Sequence, residues 1–105
     1  MTIGVVRFAG NSARIAPSAM QQIQQAAQLR QQNGGIIRVT AYSVPSDSRN
    51  EATAVLAGFG LAMDRAQAVA EALTRAGVPA RAVEFGATPA PLGEQGDVAA
   101  LTLEY

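Results

Sequence analysis

The ionisable side chains of this sequence limit the chemistry that it can carry out. Eight basic residues balance eight acidic ones, and histidine and cysteine are absent. Every basic residue is an arginine. Without histidine the chain lacks the side chain that most often acts as a general base near neutral pH, and the commonest zinc ligand. Its charged chemistry is therefore that of guanidinium and carboxylate groups alone.

Motifs that accompany catalysis are also absent. The sequence contains no Gly-x-Ser-x-Gly elbow, no phosphate-binding Gly-x-x-x-x-Gly-Lys loop and no cluster of metal-ligating residues. We therefore predict no enzymatic activity, no catalytic residue, no metal site and no cofactor. The balanced charge and the scarcity of aromatic residues argue against nucleic-acid binding. No apolar run approaches the roughly 18 residues needed to span a bilayer.

Hydrophobic patterns predict four strands and two helices. The strands cover residues 3–8, 36–42, 80–85 and 98–105, and the first helix covers residues 18–32. In the second helix, which ends at Gly77, apolar residues follow a helical period: Val55, Phe59, Ala62, Ala66, Val69 and Leu73. Gly58 and Gly60 interrupt this pattern, so we expect a later start, a kink or a close approach to another backbone. Residues 86–96, rich in proline and glycine, are predicted to form a loop.

The order β-α-β-α-β-β predicts an α/β (α+β) two-layer sandwich. We expect a mixed four-stranded sheet with parallel pairing through right-handed crossovers and with both helices on one face. Residues 1–105 form a single domain in this interpretation. Because a strand pattern follows Met1 directly, with no leader, we expect the domain to be a part of a larger protein.

Three stretches of the sequence resemble, in order and spacing, the OmpA-like domains. Residues 8–19 (Phe-Ala-Gly-Asn-Ser-Ala-Arg-Ile-Ala-Pro-Ser-Ala) are similar to the opening of that family, with its strand phenylalanine, Ser-Ala pair and helix-starting proline. Residues 61–70 (Leu-Ala-Met-Asp-Arg-Ala-Gln-Ala-Val-Ala) resemble its signature helix, Leu-Ser-x-x-Arg-Ala-x-x-Val. Residues 76–79 (Ala-Gly-Val-Pro), followed by Phe85 and Gly86, resemble its helix end and third strand.

The resemblance implies a non-catalytic module in the periplasm of a Gram-negative-type bacterium. Such modules anchor a parent protein to the cell wall through the diaminopimelate stem of peptidoglycan. In the family, an aspartate after the second strand and the arginine of the signature helix hold the zwitterionic end of diaminopimelate, since a guanidinium suits its carboxylate and an acid suits its ammonium. Arg65 matches that arginine. The implied ligand-binding residues are Arg65, Tyr42, Ser43 and Asp47.

Several ligand positions of the family are changed in this sequence. Where the family has Gly-His-Thr-Asp, residues 41–44 read Ala-Tyr-Ser-Val, so Val44 replaces the aspartate. Asp47, in a loop longer than the usual one, either supplies the carboxylate from a shifted position or is a turn residue flanked by serines. Gly58 and Ala62 replace an asparagine and a serine of the family. The paired arginines near the last strand are absent, since residues 97–100 read Asp-Val-Ala-Ala.

These changes favour an alternative function. In this alternative the chain is a degenerate OmpA-like domain, which no longer binds peptidoglycan and mediates protein–protein assembly with another envelope protein. This hypothesis predicts an apolar patch in place of the ligand pocket, formed by Val44, Pro45, Phe59 and Met63.

Overall fold

In the residues that the structure describes, the fold consists of four strands and two helices. The structure, a computed structural model, describes residues 1–10, 12–44, 51–90 and 97–104. The elements are β1 (Thr2–Arg7), α1 (Met20–Asn33), β2 (Ile36–Ser43), α2 (Glu51–Arg75), β3 (Val83–Pro89) and β4 (Val98–Glu104). Two short 3₁₀ turns, Pro17–Ala19 and Ala80–Ala82, precede α1 and β3. None of the helices in these ranges is long and apolar enough to cross a membrane.

The sheet is mixed, and its strand order is β1-β4-β2-β3. β4 pairs in the antiparallel direction with both β1 and β2, while β2 and β3 pair in parallel. The predicted fold class and the mixed four-stranded sheet are confirmed. One expected pairing is wrong: β1 and β2 run in the same direction, but β4 lies between them. The last strand thus occupies the centre of the sheet.

The core lies between one face of the sheet and the two helices. Alternate residues of the central strands are fully buried, among them Ile37 and Val39 of β2 and Leu101 of β4. They pack with Ile23 of α1 and with the C-terminal half of α2. In β2 and β4 the buried residues therefore alternate with more exposed ones, because one face of each strand is covered by the helices and the other is not.

The opposite face of the sheet is polar and open to solvent. Arg38 of β2 forms ion pairs with Glu84 of β3, at 3.0 Å, and with Glu104 of β4, at 3.4 Å. The hydrogen bond with Glu84, followed by the charges of both carboxylates, raises the pKa of Arg38. All three side chains are about half exposed, so solvent screening leaves the pairs a small contribution to stability.

The face of helix α2 that packs on the sheet is not the face that the large apolar residues of its first half predicted. Ala62, Ala66, Val69 and Leu73 are buried as expected, but Val55 and Phe59 are 51% and 43% exposed. Ala54 and Gly58 are buried in their place. α2 is a single helix from Glu51 to Arg75, so it does not start after the glycines.

The third strand begins and ends later than predicted. Residues 80–82 form a 3₁₀ turn, and β3 pairs with β2 from Val83 to Pro89. The predicted loop is therefore wrong for residues 86–89, while residues 91–96 lie outside the described part of the chain. The position of β3 in the sheet explains why the strand extends to Pro89. β3 is an edge strand, where glycine is tolerated and the missing N–H of a terminal proline leaves no ladder bond unmade.

Two leucines on the same helix test this packing. Leu73 is fully buried, whereas Leu56 is 72% exposed. We expect Leu73→Ala to lower the free energy of unfolding by about 2–5 kcal/mol, because it leaves a cavity in the core. We expect Leu56→Ala to change it by at most about 0.5 kcal/mol. Urea denaturation of both variants measures the difference, and equal losses would contradict the orientation of α2.

Candidate functional site

One edge of the sheet brings together the ends of all four strands. β1, β2 and β3 end there, and β4 begins there, because β4 runs against the other three. The backbone N–H of Phe8, directly after β1, donates to the carbonyl of Asp97, directly before β4, over 2.9 Å. On the other side of β4, Ala99 pairs with Ala41 of β2. The candidate site lies at this edge, next to the residues that follow β1 and precede β4.

Arg65 of α2 reaches this edge from the core side. Its side chain is 2% exposed, which makes it the one buried charged residue in the described part of the chain. The guanidinium donates from Nε to the carbonyl of Ser12 over 2.8 Å and from Nη2 to the carbonyl of Ala9 over 3.1 Å. Its Nη1 donates to Oδ1 of Asp97 over 2.9 Å. A buried guanidinium needs such partners, since an unpaired buried charge is very costly.

The segment after β1 is folded around this guanidinium. Cζ of Arg65 lies 5.2 Å from the centre of the Phe8 ring, within the range of a cation–π interaction. The backbone N–H of Ser12 donates to the carbonyl of Ala9 over 3.2 Å, so both carbonyls that bind Arg65 belong to one turn. Arg65 therefore joins α2, the turn after β1 and the start of β4.

Asp97 belongs to the site, although the sequence analysis treated it only as a departure from the family pattern. Its side chain is 55% exposed, so it faces solvent while it binds the buried guanidinium. A signal for it was present in the sequence. Arg65 lies next to an apolar stripe, and an arginine there requires an acceptor from elsewhere in the chain. The sequence separation of 32 residues hid which carboxylate meets that need.

The other predicted site residues lie at the end of β2. Tyr42 and Ser43 are both half-buried, and the carbonyl of Ser43 accepts a hydrogen bond from the N–H of Ala90 over 2.9 Å. Side chains alternate along a strand, so Ser43 shares the helix-covered face with buried Ala41, and Tyr42 lies on the open face. Arg65 comes from the covered side. The structure thus places Ser43, and not Tyr42, on the same face as Arg65, while Asp47 lies outside the described residues.

The position of the family aspartate is exposed and apolar. Val44 is 42% exposed directly after β2. Of the predicted apolar patch, Phe59 is also exposed, Met63 is half-buried and Pro45 lies outside the described residues. Within the ranges given above, no group of three or more acidic residues is placed to hold a metal ion. The charged contact that the structure shows at this edge is between the buried guanidinium of Arg65 and the carboxylate of Asp97.

Comparisons with known proteins agree with this architecture. The model of the OmpA family matches residues 7–96. The OmpA-like domain of FopA1 from Francisella tularensis is 18% identical, with a TM-score of 0.77, over 93% of this chain and 69% of that one. The peptidoglycan-associated lipoprotein from Burkholderia pseudomallei is 23% identical, with a TM-score of 0.75, over 96% and 90%. The C-terminal domain of Helicobacter pylori MotB is 19% identical, with a TM-score of 0.75, over 98% and 85%. The comparison with curated proteins gave no match.

The structural role of Arg65 is tested against a second arginine of the same helix. We expect Arg65→Ala to lower the free energy of unfolding by about 2 kcal/mol or more, because it leaves the carbonyls of Ala9 and Ser12 without their donor and empties a buried position. Arg75 is exposed in the last turn of α2, so we expect Arg75→Ala to cost at most about 1 kcal/mol. Denaturant unfolding followed by circular dichroism compares them. Similar small losses in both variants would show that the bonds of Arg65 do not stabilise the fold.

Proposed function

Because the chain belongs to the OmpA family, we propose that it is a non-catalytic envelope module that binds the peptide stem of peptidoglycan. It holds a larger protein to the cell wall by gripping the free end of a diaminopimelate residue. That end offers a carboxylate beside an ammonium group. The structurally similar proteins include a peptidoglycan-associated lipoprotein and periplasmic domains of MotB, which supports an envelope setting.

The observation that carries this proposal is the bond between Arg65 and a carboxylate at the strand-end edge. Nη1 of Arg65 already binds Oδ1 of Asp97 at 2.9 Å, so the guanidinium has the geometry to take a carboxylate from the solvent side. The carbonyls of Ala9 and Ser12 fix the plane of the guanidinium in advance. A donor that is already oriented loses little entropy when a ligand binds, which favours affinity.

The end of β2 supplies the rest of the proposed contact. Ser43 lies on the same face as Arg65 and has a hydroxyl that donates or accepts a hydrogen bond. Tyr42 borders the site from the open face of the sheet. Asp47, which follows in the chain, is proposed as the acid for the ligand ammonium. Val44 offers no charge at the position where the family has its aspartate, so we expect the native affinity to be weak.

Restoring that acid gives the sharpest test of the proposal. We expect Val44→Asp to increase co-sedimentation with diaminopimelate-type sacculi several-fold over the native chain. A charge-assisted hydrogen bond to the ligand ammonium contributes about 1.5–3 kcal/mol. Val44→Asn is the matched control, since it has the same shape without the charge. Val44 is exposed, so neither substitution removes a core residue.

A second set of sacculi checks the ligand itself. Lysine-type peptidoglycan carries the ammonium group but lacks the neighbouring carboxylate. We expect native chain and Val44→Asp to bind it less well than the diaminopimelate type, because Arg65 has nothing to hold. If neither the native chain nor the Val44→Asp variant binds either type of sacculus, the peptidoglycan proposal fails for this chain.

The first half of α2 favours a second candidate function, assembly with an envelope protein. Val55, Leu56 and Phe59 are 51%, 72% and 43% exposed. No charged residue occurs from position 52 to position 63, so this part of the helix is apolar or small on all sides. A helix of this kind is usually covered by another surface. Val44, just after β2, is also exposed.

Photo-crosslinking in cells of the source bacterium tests the assembly function. We expect a crosslinkable amino acid at position 56 to give a discrete protein adduct, because that side chain points out of the fold. The same amino acid at position 5 is the control, since Val5 is 40% exposed on the edge strand β1. Adducts at both positions, or at neither, would contradict a specific interface on α2.

A further inference from the structure

The two ends of the ion pair at the strand edge are very unequally buried. Arg65 is 2% exposed and Asp97 is 55% exposed. The guanidinium also binds the backbone carbonyls of Ala9 and Ser12. Moving either carbonyl requires the turn after β1 to rearrange. Moving the Asp97 carboxylate requires only a side-chain rotation toward solvent, where it is readily hydrated.

We propose that Asp97 is an internal competitor for the ligand carboxylate at Arg65 and thereby lowers the affinity of this site. This inference rests on the proposed function, because it assigns a residue to the same site. The carboxylate of Asp97 occupies the solvent side of the guanidinium at 2.9 Å, where an incoming carboxylate must bind. A ligand binds only when Asp97 has turned away, and it then takes over the released donor.

The backbone of Asp97 stays in place during this exchange. Its carbonyl accepts the N–H of Phe8 over 2.9 Å, and β4 begins at the next residue. The competing carboxylate is therefore tethered beside the guanidinium at a high effective concentration. A ligand with a carboxylate alone competes poorly against it.

The experiment measures binding of a soluble probe to the full chain by calorimetry. The probe is the tripeptide L-Ala-D-γ-Glu-meso-diaminopimelate, and the same peptide with lysine at its third position is the ligand control. The variant is Asp97→Asn, which keeps an oxygen for Nη1 of Arg65 but removes the negative charge. Asp64→Asn is the protein control, because exposed Asp64 is next to Arg65 in the chain and the variant removes an equal charge.

We expect Asp97→Asn to bind the diaminopimelate peptide about tenfold more tightly than the native chain. An apparent Kd equals the intrinsic Kd divided by the fraction of molecules that are competent to bind, and the neutral side chain raises that fraction. We expect Asp64→Asn to match the native chain, and Asp97→Glu, which retains a carboxylate, to show no such gain. Amide spectra of each variant establish that it is folded.

The outcomes separate this inference from the proposed function. If native chain binds the peptide and Asp97→Asn binds it equally or less well, the competitor role is overturned while peptidoglycan binding stands. If native chain does not bind but Asp97→Asn does, the competitor role is supported and the native function fails. If none of the proteins binds, both are overturned.

A measurement on the native chain needs no variant. Carbon NMR of the side-chain carboxyl groups follows Asp97 during titration with the diaminopimelate peptide. We expect the Asp97 signal to shift as its bond to Arg65 is replaced, while the Asp64 signal stays in place. An unchanged Asp97 signal at saturation would overturn the inference.

Discussion

A guanidinium that is only 2% exposed imposes conditions on everything around it. Removing it from water is costly, and the cost is offset only when its donors are bonded in good geometry. In this chain the acceptors come from the turn after β1 and from the residue that precedes β4. The position of α2, the path of that turn and the start of the central strand are therefore coupled. A change in any one of them exposes the buried charge to solvent or leaves it without a bonding partner.

The same arrangement links stability to ligand recognition. The bonds that stabilise the fold also hold the Arg65 guanidinium in one orientation. A guanidinium that is already oriented loses little entropy when it binds a carboxylate. The chain's own carboxylate fills the position that a ligand carboxylate would take. Val44 at the former aspartate position removes the second charge that would draw a zwitterion in. In the proposed function, both features lower the affinity for the ligand.

Small residues on α2 have a structural consequence beyond this site. Ala54, Gly58 and Ala62 are buried, and side chains this small let the helix lie close to the layer below. The larger residues of the same turns, Val55, Leu56 and Phe59, are consequently turned outward. An apolar surface at the start of α2 thus follows from the way the helix is packed. Whether such a surface serves assembly depends on a partner of matching shape and apolar character.

Local patterns were sufficient for much of this protein. The apolar pattern of residues 98–105 predicted β4, and the pattern of residues 18–32 predicted α1, because such patterns are local properties of the sequence. Arg65 was found through the spacing of a family motif. Local patterns failed for the face of α2, since a segment without charges has apolar residues on every side and no unique stripe. They also failed for the pairing of β4 between β1 and β2, and for the meeting of Asp97 with Arg65. Those contacts join residues far apart in the chain, and only the pairing of the strands and the packing of α2 on the sheet bring them together.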